Sequence, residues 1–572
     1  MILRVVLALV LSAPPVMTPS VPPAPPARPC PVAVPAGTTC GFLLVPERRD
    51  APGRTIRVGY AVRHSVARQR RPDPVVFMSG GPGSASLQLT GFLAQMFPDR
   101  DVVALEQRGG RWSEPALSCP ETAEALLGQL RRPPADVAAA AVTCRDRLRE
   151  QGVDLRGYNT KEMAADVVAL RRALGYPSWN LFGVSYSTRV MVEAAAADPE
   201  GTRSLVLDSF LPEGVNWYDD AERNLADTMA KLGVKDAFEA VTARLNASPA
   251  RVPATDPLLG REFTARLSGD DVAAVLFEGL AGADVAAVAP ALLRALAEGH
   301  DELLRALADA AGDGLVSHEF GLYHAVQCQD ELPFNATPGR SRLFTHNADK
   351  AVCDAWALPR SKPAGAAPRA PAFVLGGRYD PTTPVRTSRP AAEALPDARF
   401  AEIPYASHAV FLSSACARRM IAGFVADPAA STAATCLDAG GGRREDLRVT
   451  AAPYAIARAP WLAVPFAVFA LVALAQLVVA ALKGRALAAY GGLCGVAFAG
   501  LTAQAVHGLV TRNATALAVG LPADVGGFYT WIAVASVALT AAGALVRWRR
   551  WPGWAATAVG GGFLVWWLLW VT

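Results

Sequence analysis

Pro177-Ser-Trp-Asn-Leu-Phe-Gly183-Val-Ser185-Tyr-Ser187, followed by Thr188 to Ala197, is the stretch on which the reading of this chain turns. A short apolar run, a turn of small residues and an Ala-rich segment come in that order, which sets a serine on a sharp strand-to-helix turn, a nucleophile elbow. A serine hydroxyl is a poor nucleophile at neutral pH. It needs a base beside it and backbone N–H groups at a helix start that can meet an oxyanion. Gly183 suits the turn because a side chain two residues before the serine would crowd it. Ser187 stands where a second small residue is wanted and is small enough to fit. As a nucleophile itself, Ser187 would have Ser185 and Arg189 at the positions that should be small, so Ser185 is the candidate.

Working outward, Pro74-Val-Val-Phe-Met-Ser79 has the pattern of a buried strand and ends in Gly80-Gly81-Pro82-Gly83. A glycine loop after an early strand supplies one N–H to the oxyanion, and the residue after the nucleophile supplies the other; these positions are Gly81 and Tyr186. Val102-Val-Ala-Leu105 is a further strand, and the Glu106-Gln-Arg-Gly109 that follows lies where it could brace the first loop. Acid and base should follow the serine in that order. Histidine is scarce, and only His408 and His507 follow the next strongly patterned strand. His507 falls in an apolar run, which leaves His408, in Ile403-Pro-Tyr-Ala-Ser-His408. Pro371-Ala-Phe-Val-Leu-Gly376-Gly-Arg-Tyr-Asp380 offers Asp380 at a strand end. The expected class is α/β, an α/β-hydrolase fold, in which His408 takes the Ser185 proton while Asp380 fixes its tautomer.

Together Gly80-Gly-Pro-Gly83, Glu106-Gln-Arg-Gly109, Gly183-Val-Ser-Tyr186, Leu207-Asp208, Gly376-Gly-Arg-Tyr-Asp380-Pro-Thr-Thr-Pro384 and the segment from Cys416 to Cys436 resemble the tripeptidyl aminopeptidase branch of the proline iminopeptidase family. The resemblance runs from about Cys30 to Cys436. It implies serine-dependent release of residues from a peptide N-terminus, with Ser185, Asp380 and His408 in the roles above. The family usually has Gly where Ser187, Ser407 and Ala409 stand, and Asp where Glu106 stands.

The segment 213–365, with amphipathic Ala/Leu patterns such as Ala291 to Ala308, predicts a helical cap between core parts 30–212 and 366–437. For an aminopeptidase the cap must carry carboxylates that hold the substrate's ammonium group. Candidates are Glu213, Asp219, Asp220, Glu222, Asp330 and Glu331, with Asp330, beside Cys328, preferred. Single carboxylates on a helix face also serve simply as solvated charge.

Composition adds the setting. The chain has 572 residues and a net charge of +4, and shows no basic run interleaved with aromatics, which excludes nucleic acid as the expected partner. No metal-ligand cluster or dinucleotide fingerprint is legible, so no cofactor is expected. Residues 1–20 resemble a secretory signal or N-terminal anchor. Eight of the nine cysteines precede the apolar tail. An exported domain is expected; eight cysteines permit about 105 pairings, of which sequential neighbours, each closing a short local loop, are the expected set (Cys30 with Cys40, Cys119 with Cys144, Cys328 with Cys353, Cys416 with Cys436), the alternative being buried reduced thiols. After a polar linker, 438–460, the part 461–572 holds four apolar runs, each long enough to cross about 30 Å of hydrocarbon. These are Trp461 to Leu482, Ala486 to Val510, Gly527 to Val546 and Trp551 to Val571. Lys483 and Arg485, and Arg547, Arg549 and Arg550, fall on one side, so the positive-inside tendency puts the rest of the chain outside a multi-pass anchor in the cell membrane. Within the spans, His507 near Gln504 is expected to make an interhelical hydrogen bond. Two rivals to the peptidase stand: an esterase or other acyl hydrolase with the same triad, and a hydrolase-like binding module without catalysis.

Overall fold

Eight runs of apolar and β-branched residues pair into one twisted sheet in the computed structural model, which describes residues 28–572 apart from 52, 132–135, 216, 317–318, 337–344, 362–364, 366, 431–445 and 547–550. Its strands are β1 (Thr38–Pro46), β2 (Thr55–Arg63), β3 (Val75–Met78), β4 (Val102–Leu105), β5 (Trp179–Val184) and β6 (Thr202–Asp208). After a hairpin of β7 (Ala250–Thr255) and β8 (Glu262–Leu267), they continue with β9 (Ala372–Gly377) and β10 (Ala398–Ile403). The order is β1-β2-β4-β3-β5-β6-β9-β10, antiparallel at β1/β2 and β2/β4 and parallel from β4 onward.

Strands covered on both faces should be apolar throughout, and β3, β4, β5 and β9 are buried at every residue. On one face Met163 and Val167 of the helix Thr160–Leu174, and Val190 and Met191 of the helix Ser187–Ala197, pack on Val76, Leu181, Leu205 and Val374. On the other, Leu93, Ile421 and Phe424 pack on Val75, Phe77, Phe182 and Phe373. The carboxyl ends of β3, β5, β6 and β9 therefore open at one edge, where the candidate site residues lie.

Between β6 and β9 the chain forms helices Trp217–Leu232, Lys235–Ala247, Gly269–Gly279, Ala283–Glu298, Leu304–Val316, Phe320–Val326 and Thr345–Trp356. The hairpin β7–β8 within this segment departs from the all-helical expectation; Val252, Ala254, Ala265 and Leu267 face the cap core and alternate with exposed residues. Disulfides join Cys30 to Cys40, Cys119 to Cys144 and Cys328 to Cys353, as the sequential pairing predicts. Cys436 of the fourth pair, the N-terminal signal and Arg547, Arg549 and Arg550 lie outside the described residues.

Four helical segments are long and apolar enough to span a membrane: Pro460–Leu482, Ala486–Ala518, Ala523–Leu545 and Trp554–Val571. Small residues bring the first three together, since a Cβ on Gly492 would lie 2.5 Å from Leu477 N of the first and one on Gly491 2.6 Å from Thr540 Oγ1 of the third. Two of the expectations for this half change. His507 is exposed and makes no hydrogen bond among the described residues; Gln476 ties the helices instead, donating to Ala488 O and Thr540 Oγ1 at 2.8 Å. The polar segment 438–460 is partly structured, with β11 (Leu447–Val449) paired to β12 (Gly520–Pro522) and a helix at Ala452–Arg458. The bundle meets the cap nearby: Leu509, Ala516 and Val519 enter the cap's apolar core, Asn513 Nδ2 donates to Asp284 O at 2.9 Å, and from the helix Ala452–Arg458 Tyr454 Oη donates to Asp309 at 2.6 Å.

Candidate active site

Ser185 turns the chain from β5 into the following helix with a φ of 58°. This left-handed region costs a non-glycine residue roughly 1–3 kcal/mol, so neighbours must hold it. They do so from three sides. Ser185 N donates to Asp208 O at 2.9 Å, Ser185 O accepts from Thr188 Oγ1 at 2.6 Å, and a Cβ on Gly80 would come within 2.7 Å of Ser185 Cβ. Gly183 is required by crowding, because a Cβ there would lie 2.8 Å from Ser187 O. Ser187 fits by using its hydroxyl: Oγ donates to Met78 O at 2.7 Å and accepts from Val184 N at 2.9 Å, tying the ends of β3 and β5 together under the turn.

The glycine loop is braced as its position after β3 suggests. Gln107 Nε2 donates to Ser79 O and Gly80 O at 2.8 and 2.7 Å, and its Oε1 accepts from Gly83 N at 2.9 Å. Glu106 Oε1 accepts from Ser86 N and Leu87 N, while its Oε2 is buried without a hydrogen-bond partner. Burial outweighs those hydrogen bonds and pushes the Glu106 carboxyl up to about 7. The loop leaves Gly81 with its N–H unbonded among the described residues, as is that of Tyr186, and both residues line a cavity of about 30 Å³ at Ser185. Two free donors beside a serine hydroxyl can receive an oxyanion.

Asp380 lies three residues past β9 and His408 in the loop after β10. His408 Nδ1 is 2.7 Å from Asp380 Oδ2, which also accepts from Thr383 Oγ1 at 2.7 Å, while Asp380 Oδ1 accepts from Thr382 N and Thr383 N at 2.8 and 2.9 Å. Burial by itself would raise Asp380, but the charge of His408 and the hydrogen bonds from His408 and Thr383 outweigh it and hold the carboxyl below its usual range. Burial would likewise lower His408; the Asp380 carboxylate, helped by Asp208 and Glu278, outweighs it and holds the imidazole above its ordinary value. Ser185 Oγ makes no hydrogen bond to His408 among the described residues. Such bonds are often long without substrate and tighten when it binds.

Asp208, the last residue of β6, organises the site from below. Its carbonyl holds Ser185 N, and its buried carboxylate accepts from Val410 N and Phe411 N at 3.0 and 2.8 Å, fastening the His408 loop to the end of β6. Burial pushes that carboxyl up to about 6. Cap and core also meet at the histidine, since His408 N donates to Ala281 O at 3.1 Å.

Asp330 and Glu331 line the cavity at Ser185, together with Arg189, Leu211, Trp217 and Val326. The same Arg189, Asp330 and Glu331 line a neighbouring cavity of about 370 Å³ whose wall includes Glu193 and Glu213, so four carboxylates face one arginine there. Glu331 is paired with Arg189. Asp330 accepts from Thr160 N and Thr160 Oγ1 at 2.7 Å and from Ser361 Oγ, and burial raises its carboxyl above the ordinary value. Asp219, Asp220 and Glu222 line neither cavity; Asp220, for one, pairs with Arg386 at 3.3 Å. Among the described residues the group of metal-ligand types is Cys119, Glu121 and Cys144, whose sulfurs are joined as a disulfide and leave no thiolate for an ion.

Comparison with known proteins identifies relatives of the chain. Residues 73–263 match the family described as alpha/beta hydrolase fold, and residues 341–436 match the family described as TAP-like protein. Serine protease Hip1 of Mycobacterium tuberculosis is 26% identical over 430 residues, covering 64% of this chain and 80% of that protein. Tripeptidyl aminopeptidase of Streptomyces lividans is 26% identical over 204 residues, covering 32% of this chain and 38% of that protein. The crystal structure of proline iminopeptidase from Mycobacterium smegmatis covers 68% of this chain and 98% of its own, at 16% identity and a TM-score of 0.33. This chain thus has the α/β-hydrolase fold with a TAP-like C-terminal segment, is homologous to Hip1 and the tripeptidyl aminopeptidases, and is extended by four helices long and apolar enough to cross a membrane.

Proposed function

We propose that the chain is a membrane-anchored aminopeptidase working outside the cytoplasm, which removes short peptides or single residues from peptide N-termini through an acyl-enzyme on Ser185. His408 Nε2 takes the Ser185 proton as Oγ attacks the scissile carbonyl, and the N–H groups of Gly81 and Tyr186 receive the oxyanion. On collapse His408 protonates the departing amine, and water, deprotonated by His408, then releases the acyl group. Asp380 keeps the Nδ1 proton in place throughout.

The observation that carries this reading is the acid-rich cavity that shares Asp330, Glu331 and Arg189 with the cavity at Ser185. A free ammonium group is the charge such a lining favours, and an acylated N-terminus would leave it uncompensated. The likeness to Hip1, a serine protease, and to the Streptomyces tripeptidyl aminopeptidase supports the same class. Leu211, Trp217 and Val326 leave only about 30 Å³ beside Ser185, which favours small side chains there. Orientation follows from charge: Lys483 and Arg485 join the first two spans at the end away from the catalytic domain, and that end is assigned to the cytoplasm.

The test is hydrolysis of aminoacyl and tripeptidyl chromogenic substrates, free and N-acetylated, by the full chain and its Ser185→Ala variant. Ser185-dependent cleavage confined to free amines is expected. Equal rates on acetylated substrates would move the assignment to an esterase or general acyl hydrolase, and no labelling of Ser185 by a fluorophosphonate would point to a binding module.

A further inference from the structure

Where the first two membrane helices turn at Lys483-Gly-Arg485, at the end remote from the catalytic domain, the bundle contains a cavity of about 960 Å³. Its walls are mostly apolar, among them Val472, Val479 and Val559, and they open sideways, Val479 being 45% exposed and Leu487 41%. Gln476 and Thr540 in the wall already satisfy each other. The polar groups without partners gather at the mouth. Lys483 and Arg485 stand there, with Ala486, Leu487 and Ala488, the first residues of a 28-residue helix. The opening N–H groups of a helix have no acceptor within it and carry its positive dipole end. Among the described residues, Arg485 Nε is buried without a hydrogen-bond partner and no carboxylate lines this cavity.

An apolar groove open to hydrocarbon, capped by two cations and a helix N-terminus with no carboxylate among the described residues that line it, has the complementarity of an anionic amphiphile. We propose that it is a binding site for an anionic phospholipid of the leaflet away from the catalytic domain. The phosphate lies between Lys483, Arg485 and the N–H groups of Ala486 to Ala488, and the acyl chains lie along Val472, Val479 and Val559. A soluble anion would use only the mouth and leave the apolar walls uncovered.

The full chain, purified in detergent, is titrated with phosphatidylglycerol or with phosphatidylcholine of the same acyl chains, and bound lipid is counted by native mass spectrometry. Preferential retention of phosphatidylglycerol is expected. Each cation near an anionic headgroup is worth roughly five-fold in affinity, so Lys483→Gln with Arg485→Gln should weaken phosphatidylglycerol about thirty-fold and leave phosphatidylcholine unchanged. Retained hydrolysis of a chromogenic ester or peptide shows that the double variant is folded. Val479→Trp, which fills the groove from its open side and keeps both cations, should reduce binding of both lipids. Equal retention of the two lipids by the unmodified chain, or undiminished phosphatidylglycerol on the double variant, overturns the proposal. Displacement of phosphatidylglycerol by inorganic phosphate alone would overturn the lipid assignment in favour of a free-anion site.

Discussion

Replacing Asp380 with Asn tests the proposed chemistry at a point where the structure dictates which way the new amide must face. Asp380 Oδ1 accepts from two backbone N–H groups, Thr382 N at 2.8 Å and Thr383 N at 2.9 Å, and these donors cannot be reversed. The amide oxygen of an asparagine is therefore held at the Oδ1 position, and its NH₂ takes the place of Oδ2, 2.7 Å from His408 Nδ1. Thr383 Oγ1 can rotate its proton away and accept, but His408 can accept only by shedding the Nδ1 proton, which moves the proton to Nε2. A His408 protonated at Nε2 cannot take one from Ser185. A forced tautomer of this kind lowers kcat about 10⁴-fold, or about 5 kcal/mol, with little effect on substrate binding. The raised titration of His408, which depends on the Asp380 charge, is lost with it. The assay is kcat and KM on a free-amine tripeptidyl substrate across the neutral pH range. Unmodified protein should show its acid limb above the ordinary histidine value, with activity falling as pH drops through it. Asp380→Asn should keep KM and lose kcat. A kcat within about ten-fold of the unmodified protein, or a loss confined to KM, would refute the tautomer argument.

Other variants probe separate contacts. Asp330→Asn can preserve the network, with its oxygen toward Thr160 and its NH₂ toward Ser361 Oγ, so it removes charge alone. It should raise KM for free-amine substrates about ten-fold or more and leave kcat little changed. Glu331→Gln leaves Arg189, 7% exposed, without its carboxylate and should lower stability by about 3–5 kcal/mol, read as an earlier thermal transition. Ser187→Gly, the family's usual residue, orphans Val184 N–H in the core and should destabilise by roughly 1–3 kcal/mol; a neutral result would deny the hydroxyl its bridging role. Glu106 titrates in the fold near 7 against an ordinary 4.5, so it favours the folded state fully below 4.5, and that contribution is lost as pH rises through 7. Glu106→Gln should flatten the decline in melting temperature between those pH values.

The elements that carry the fold were legible because each has a local signature. Val75–Met78, Val102–Leu105 and Trp179–Val184 are unbroken apolar runs, as doubly covered parallel strands must be, and Gly183 to Ser187 has the small-residue spacing of a tight turn. The order serine, aspartate, histidine named Ser185, Asp380 and His408 because so few histidines compete. The four apolar helices and the disulfides between neighbouring cysteines also announce themselves in one dimension. The hairpin β7–β8 did not: its strands, Ala250–Thr255 and Glu262–Leu267, are short, Ala-containing and in one case interrupted by Pro253, so neither period stands out. Arg448 in β11 gave no sign that its partner is Leu521, on the far side of two membrane helices.

What the sequence determined by itself is the set of elements, their order and the residue types that can do the chemistry, since periodicity, turn composition and motif spacing are properties of neighbouring residues. Only the tertiary structure decided how those residues are held: Ser187 bonded to Met78 across 109 positions, Asp208 clasping Val410 and Phe411 across 202 and 203, and four carboxylates drawn from three segments to one cavity facing Arg189. A hydrogen bond between segments so far apart depends on sheet order and cap placement, and buried polar groups must find such partners wherever folding brings them, so no local pattern marks them in advance.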